Sequence, residues 1–166
     1  MKKSTLIILV VAVFAAAAAA FVLLAPKDGD LALSGNPTKE AVLNENGDLV
    51  ISGSDITETA AFYTYNELDK KMEIIAVKAS DGTIRTAFNT CQVCYSSGKG
   101  YYIQEGEFLV CQNCGNRFGM DEVELTKGGC NPVPITDEYK TEADGVITIP
   151  KDFLEEAQVI FENWKI

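Results

Sequence analysis

The rhythm of hydrophobic and polar positions changes along this chain. After Met1, Lys2, Lys3, Ser4 and Thr5, residues 6–25 run without a charge or a strongly polar side chain, and the run stops at Pro26 and Lys27. A helix of that length rises ~30 Å at about 1.5 Å per residue, matching the hydrocarbon thickness of a bilayer. The pattern predicts a cytoplasmic N-terminus over 1–5 and a transmembrane anchor over 6–25. A cleaved signal peptide is the alternative, because Ala15 to Ala20 supply the small residues a signal peptidase takes. Phe21, Val22, Leu23 and Leu24 carry the apolar run past those alanines, which favours the anchor. On both readings the positive residues stay inside and the chain after Pro26 lies outside the cytoplasm, which predicts a single-pass protein of the cell membrane.

Residues 26–47 are mostly small, polar or turn-forming, and read as a linker holding a domain over 48–166 off the membrane. From Leu49 the chain turns to short β-prone runs: Leu49–Ser52, Ala61–Tyr65, Met72–Lys78, Thr83–Phe88, Tyr101–Gln104 and Phe108–Val110. Asp81-Gly82, Gln104 to Glu107 and Asp144-Gly145 are turn signals between strands. Val146–Ile149 reads as a further strand stopped by Pro150. Beyond it Phe153, Leu154, Ala157, Ile160, Phe161 and Trp164 share one face at helical spacing, predicting a short C-terminal helix packed on the core. The expected fold class is mainly β.

Composition narrows the chemistry. Asp and Glu outnumber Lys and Arg by 24 to 14, leaving a formal net charge of −10, and the chain has no histidine. An acidic surface argues against nucleic acid, whose phosphates require clustered cations. Without histidine, a catalytic triad or a His-ligated zinc enzyme is excluded. There is no nucleophile elbow either, so no stand-alone enzyme and no catalytic residue is expected. Asp121, Glu122 and Glu124 read as a solvated loop.

What remains is sulfur. Cys91-Gln-Val-Cys94 and Cys111-Gln-Asn-Cys114 stand sixteen residues apart. A Cys-x-x-Cys turn aims both sulfurs at one spot, so two such turns on hairpin tips make a four-thiolate pocket, with Cys91, Cys94, Cys111 and Cys114 as the expected ligands. Gly115 suits the backbone such a turn requires, and Gly98 and Gly100 let the first loop fold close. Two disulfides are the rival reading in an exported compartment, though five cysteines leave one over. A thioredoxin-like site lacks its βαβ setting. The spacing fits a zinc ribbon, a mononuclear iron site or a [2Fe-2S] cluster alike. The leader carries no arginine pair, and a chain exported unfolded must acquire its metal outside.

The fifth cysteine lies in Gly128-Gly129-Cys130-Asn131-Pro132-Val133-Pro134, a bent, stiff loop that reads as a cap over the site. Cys130 is then a possible accessory ligand, an exchangeable one, or a small buried side chain. Tyr95, Tyr101, Tyr102 and Phe118 lie close to the knuckles in sequence and read as packing for the small hairpins.

The string from Asp81 to Phe88 into Asn89-Thr90-Cys91-x-x-Cys94-Tyr95, followed by Gly100-Tyr101, Cys111-x-x-Cys114-Gly115, Phe118 and Gly128-Gly129-Cys130-Asn131-Pro132, resembles the FtrD-like family of membrane iron-sulfur proteins. The resemblance covers roughly residues 50–149. It implies an iron-sulfur centre, tipping the choice toward a cluster of [2Fe-2S] type, and a link to ferrous-iron transport. A more distant likeness is to Rieske domains, with Cys94 and Cys114 standing where that family has histidines. It implies a small Rieske-like or zinc-ribbon-like β-sandwich with the centre between two loop tips. Two residues, Gln92 and Val93, separate the first ligand pair where Rieske domains have one.

The expectation is therefore a membrane-anchored extracytoplasmic iron-sulfur protein, an electron-transfer or redox accessory of an iron transport system. An iron permease or a redox protein is the expected partner. The alternatives are a zinc-stapled, non-catalytic binding module and a metallochaperone serving a metal transporter.

Overall fold

Six successive residues of Met72–Lys78 are buried, a pattern that a strand shows only when both of its faces are covered. The computed structural model, which describes residues 36–166, shows why. Met72–Lys78 (β5) lies inside a five-stranded sheet whose order is Thr38–Glu40 (β1), Ala61–Tyr65 (β4), β5, Ile84–Cys91 (β6) and Pro132–Pro134 (β10). Alternate side chains of β5 enter two different cores. Met72, Ile74 and Ala76 join Leu49, Ile51, Tyr65, Phe88, Ile147 and Ile149 on one face. Ile75 and Val77 join Phe62, Ala87, Tyr102, Leu109 and Phe118 on the other. Each fully buried Leu, Ile or Phe contributes about 1.5–3 kcal/mol, so the central sheet is stabilised from both sides.

The first core is closed by a four-stranded sheet of Thr141–Ala143 (β11), Val146–Ile149 (β12), Leu49–Ser52 (β3) and Val42–Leu43 (β2), in that order. Asp144 and Gly145 both take positive φ, 52° and 73°, as a two-residue hairpin between β11 and β12 requires. The second core is closed by a three-stranded sheet of Tyr102–Glu105 (β7), Phe108–Cys111 (β8) and Arg117–Gly119 (β9). The fold is mainly β with one short C-terminal helix. Instead of a two-sheet sandwich, three sheets enclose two cores, because β4, β5 and β6 are buried on both faces.

Several expectations change. Part of the predicted linker belongs to the domain: β1 pairs parallel with β4, and β2 pairs antiparallel with β3. Exposed side chains made this segment look like a tether, yet its backbone supplies edge pairing that composition does not reveal. The C-terminal helix is α-helical only over Lys151–Glu156 (α1), and Ala157–Phe161 continues as a 3-10 turn. Leu154 and Phe161 are still buried on the predicted face, with Phe153, Ala157, Ile160 and Trp164 packed around them. Pro132–Pro134 is an irregular edge strand on β6 rather than a free loop, a position where missing N–H donors cost nothing.

Of the acidic residues 121–124, Asp121 and Glu122 are exposed as expected, while Glu124 is drawn into a buried ion pair. Asp121 accepts from the Ser80 N–H and hydroxyl at 2.7 and 2.8 Å. Glu124 meets the buried Lys140 ammonium at 2.5 Å and accepts from the Thr86 N–H at 2.8 Å. The predicted anchor over 6–25, and residues 1–35 as a whole, lie outside the described residues. Among the described residues no helix is long and apolar enough to cross a membrane.

Candidate metal centre

The first knuckle begins at the last residue of β6. The Cys91 N–H donates to the Gly100 carbonyl at 2.7 Å, and the Cys94 N–H donates to the Cys91 sulfur at 3.3 Å, the local bond that bends the turn. A 3-10 turn over Tyr95–Ser97 then ends at Gly98, whose φ is 80°. Gly100 packs directly on the Cys94 peptide: a Cβ there would meet the Cys94 carbonyl oxygen at 2.2 Å. This knuckle is not a hairpin tip, because it carries the chain out of the central sheet and into the three-stranded one.

The second knuckle does join two paired strands, β8 and β9. Its Gly115 N–H donates to the Cys111 carbonyl at 2.8 Å, with Gly115 at φ 73°. The loop carrying Cys130 is tied to both knuckles by amide side chains. Gln92 accepts from the Gly128 N–H at 2.9 Å and donates to the Pro132 carbonyl at 3.1 Å, while Asn116 donates to the Cys130 carbonyl at 2.9 Å. Gly128 and Gly129, at φ 83° and 75°, make the bend.

All five cysteines meet. The sulfurs of Cys91, Cys94, Cys111 and Cys130 lie within 4.8 Å of one another. Cys130 sits among the others, its Sγ 2.8 Å from Cys114, 3.2 Å from Cys91 and 3.8 Å from Cys94. Cys91 and Cys111 are buried, Cys94 and Cys130 half-buried, and Cys114 is exposed. The tightest foursome thus contains Cys130 in the place where spacing alone put Cys114, and Cys114 lies at the solvent edge against Cys130. All five are free thiols rather than two disulfides. A chelate between knuckles is legible in sequence, but the third contributor reaches the site through tertiary pairing of β10 with β6.

The protonation pattern alternates. A hydrogen bond from Cys111, joined by the Cys94 N–H, holds the Cys91 thiol well below its usual range. Cys111, as the donor of that pair, is pushed up. Donation from Cys130 lowers Cys114, while burial raises Cys130 and Cys94. One sulfur of each knuckle is thereby held toward the thiolate, the form that ligates metal.

Two residues beyond the cysteines complete the site. Asn89, fully buried, accepts from the Tyr102 N–H at 2.7 Å and donates to the Tyr102 carbonyl at 3.2 Å, which fastens the strand of Cys91 to the hairpin of Cys111. Tyr102 stands opposite Cys111 in the ladder and is fully buried among the cysteines. Its hydroxyl is the one buried side-chain polar atom among the described residues with no formed hydrogen bond. A polar Asn inside an apolar strand, two residues before a knuckle, was the available sequence signal for this bracket. Nothing in the sequence separated Tyr102 from the other aromatics: Tyr95 is largely exposed, Tyr101 packs edge-on against Trp164, and Phe118 is buried core.

The residues fit an iron-sulfur group. The donor set is all sulfur, partly shielded from water, and a buried hydroxyl lies beside it without a protein acceptor. Cys-only donors suit zinc as well.

Comparison with known proteins follows from this geometry. No curated protein matches the chain. Among solved structures, a quaternary ammonium Rieske monooxygenase in complex with an inhibitor is similar, with a TM-score of 0.42 and 15% identity over 62% of this chain. The matched part is 31% of that protein, so the chain spans about a third of its length. The family described as "Membrane iron-sulfur containing protein FtrD-like" matches residues 56–161, which include every cysteine and most of both cores. That match takes in more than half of the sequence, and the chain belongs to the FtrD-like family.

Proposed function

We propose that this chain is a membrane-anchored iron-sulfur protein whose domain lies outside the cytoplasm and passes electrons on behalf of an iron transport system. The observation that carries the reading is the convergence of five free thiols from two knuckles and a glycine loop, with Cys130 within 4 Å of three other sulfurs. Cys91, Cys94, Cys111 and Cys114 are the proposed ligands of a cluster of [2Fe-2S] type. Cys130 joins them as a further sulfur, close enough to replace Cys114 at the edge.

An iron-sulfur group held there supplies a one-electron couple, and four thiolates keep its potential low compared with a centre where histidines replace two of them. The chain's own residues exclude water from Cys91 and Cys111, fix the two knuckles through Asn89, and hold Cys91 and Cys114 toward the charged form. The family name supports the membrane and iron-sulfur parts of the reading. The apolar run over 6–25 supplies the anchor. An iron permease is the proposed partner.

Protein produced with its native export signal tests this directly. Iron and sulfide in the preparation, with visible absorbance that bleaches on dithionite, support the reading. A colourless protein with one equivalent of zinc overturns it and favours the zinc-stapled module. A second reading, metal hand-on to a transporter, draws on one feature: exposed Cys114 lies 2.8 Å from Cys130, so two sulfurs at the solvent edge can exchange a metal between them.

A further inference from the structure

A tetrahedral zinc or a [2Fe-2S] cluster takes four thiolates, and this site gathers five free thiols. The surplus is confined to one place. Cys91, Cys94, Cys111 and Cys130 lie within 4.8 Å of one another, while Cys114 stands outside that foursome at the solvent edge, its Sγ 2.8 Å from that of Cys130. Whichever of these two sulfurs binds the metal, the other stays beside it as a thiol.

The pair differs from the neighbouring sulfurs in access and in freedom to move. Cys91 also lies near Cys130, at 3.2 Å, but it is fully buried, and a reagent from solvent does not reach it. Cys114 is exposed and Cys130 half-buried. Each is next to a glycine in the left-handed region, Gly115 at φ 73° and Gly129 at φ 75°, and a Cβ at Gly115 would meet nothing within 4 Å. A disulfide has a sulfur-sulfur bond of about 2.05 Å, so the two atoms need to close by less than about 1 Å. Glycine backbone beside both residues can take up that shift. The amide side chains of Gln92 and Asn116 meanwhile tie the loop of Cys130 to both knuckles, which keeps the two sulfurs facing each other.

We propose that Cys114 and Cys130 are a thiol-disulfide exchange pair that reacts with a small-molecule disulfide, and that their oxidation takes away one ligand position and releases the metal. The pairing rests on the thiols alone, and the release rests on the metal-centre reading. The accessible Cys114 sulfur attacks the external disulfide, forming a mixed disulfide and expelling one thiol. Cys130 then attacks the Cys114 sulfur, the mixed bond breaks, and the second thiol leaves. Two electrons pass from the two cysteines to the external disulfide. Its two thiol products carry two protons, one from the surplus thiol and one from water in place of the lost metal bond. Cys91, Cys94 and Cys111 remain, one thiolate short of a closed site. Exposed disulfides are of the labile kind, so a thiol reductant reverses the change.

The test exposes the full-length, metal-loaded protein to oxidised glutathione, with reduced glutathione at equal sulfur as the control. Iron, sulfide and zinc are measured beforehand, so the identity of the metal is decided separately from the pairing. A colorimetric chelator follows the metal, and mass spectrometry of unreduced peptides maps the cross-links. The expected product joins the peptides of Cys114 and Cys130, with metal released several-fold faster than in the control and the loaded state restored by dithiothreitol and fresh metal. Cys130→Ser keeps both knuckles but lacks the resolving sulfur, so its reaction should stop at glutathione on Cys114.

A parent cross-link within a knuckle, Cys91 to Cys94 or Cys111 to Cys114, overturns the proposal. So does a parent that stays unmodified or keeps glutathione on Cys114, and a Cys114 to Cys130 bond formed with the metal retained overturns the release. A colourless zinc protein that forms this bond and lets its zinc go removes the electron-transfer reading and leaves the exchange pair standing.

Discussion

The side-chain amide of Asn89 holds the backbone of Tyr102 from both sides, accepting its N–H at 2.7 Å and donating to its carbonyl at 3.2 Å. The same amide nitrogen donates to the buried carboxylate of Glu73, and the Asn89 carbonyl accepts the Trp164 indole N–H at 2.7 Å. One residue thus joins the central sheet and the cysteine hairpin through its side chain and the C-terminal segment through its backbone carbonyl. Replacing Asn89 with Ala leaves two backbone groups and a carboxylate short of partners. At about 1–3 kcal/mol for each buried group left unsatisfied, a loss of about 3 kcal/mol or more is expected. Urea unfolding should show a lower midpoint with the slope unchanged. An unaltered midpoint would mean that the bracket is idle.

Gly100 should tolerate no side chain. A Cβ would lie 2.2 Å from the Cys94 carbonyl oxygen and 2.4 Å from its carbon, and backbone cannot yield as a flexible side chain can. Gly100→Ala is expected to displace Cys94 and reduce the metal bound per chain, read by elemental analysis of purified protein. Gly119→Ala is the contrasting control, since its nearest obstacle is the Glu122 carboxylate oxygen at 3.1 Å, the end of a flexible side chain.

The ion pair of Lys140 and Glu124 is buried, with side chains only 2% and 12% exposed. Lys140→Met strands a buried carboxylate and should cost about 3–5 kcal/mol. Adding Glu124→Gln to it should recover a substantial part, because the uncompensated charge is gone. Denaturation of both variants measures the difference. Equal losses would place the cost in lost packing instead.

Asp81 gives the acid side of the pH profile. Its carboxylate accepts from the Thr83 hydroxyl at 2.6 Å, the Thr83 N–H at 2.9 Å and Arg85 at 2.6 Å, which together hold its pKa down at about 2. Because the folded value lies below the unfolded one of about 3.9, this turn stabilises the fold above that pH. The contribution is lost as pH falls through about 2. Carboxyl NMR titration should find the midpoint near 2, and a midpoint near 4 would show that the turn is not formed in solution.

Serine at position 130 separates the sulfurs. Since Cys130 contacts Cys91, Cys94 and Cys114, Cys130→Ser should alter the visible spectrum of the loaded protein more than a change at any residue outside the cysteine cluster. An identical spectrum and metal content would make Cys130 a cap alone.

Strand positions such as Ala61–Tyr65, Met72–Lys78 and Val146–Ile149 were fully legible, because alternating or continuous apolar runs and Asp-Gly turns are local signals. The two knuckles were legible for the same reason: a Cys-x-x-Cys turn closes through its own neighbouring N–H and sulfur, as Cys94 does on Cys91. Pairing between distant segments has no such local mark. The exposed β1 and the proline-bearing β10 join the central sheet only by backbone contact with β4 and β6. That pairing brings Cys130 among the other sulfurs, and Asn89 sets Tyr102 beside them. Short-range turn chemistry therefore determined the metal-binding motif from sequence, while long-range sheet register, which no single segment encodes, decided that five sulfurs and a buried phenol share one place.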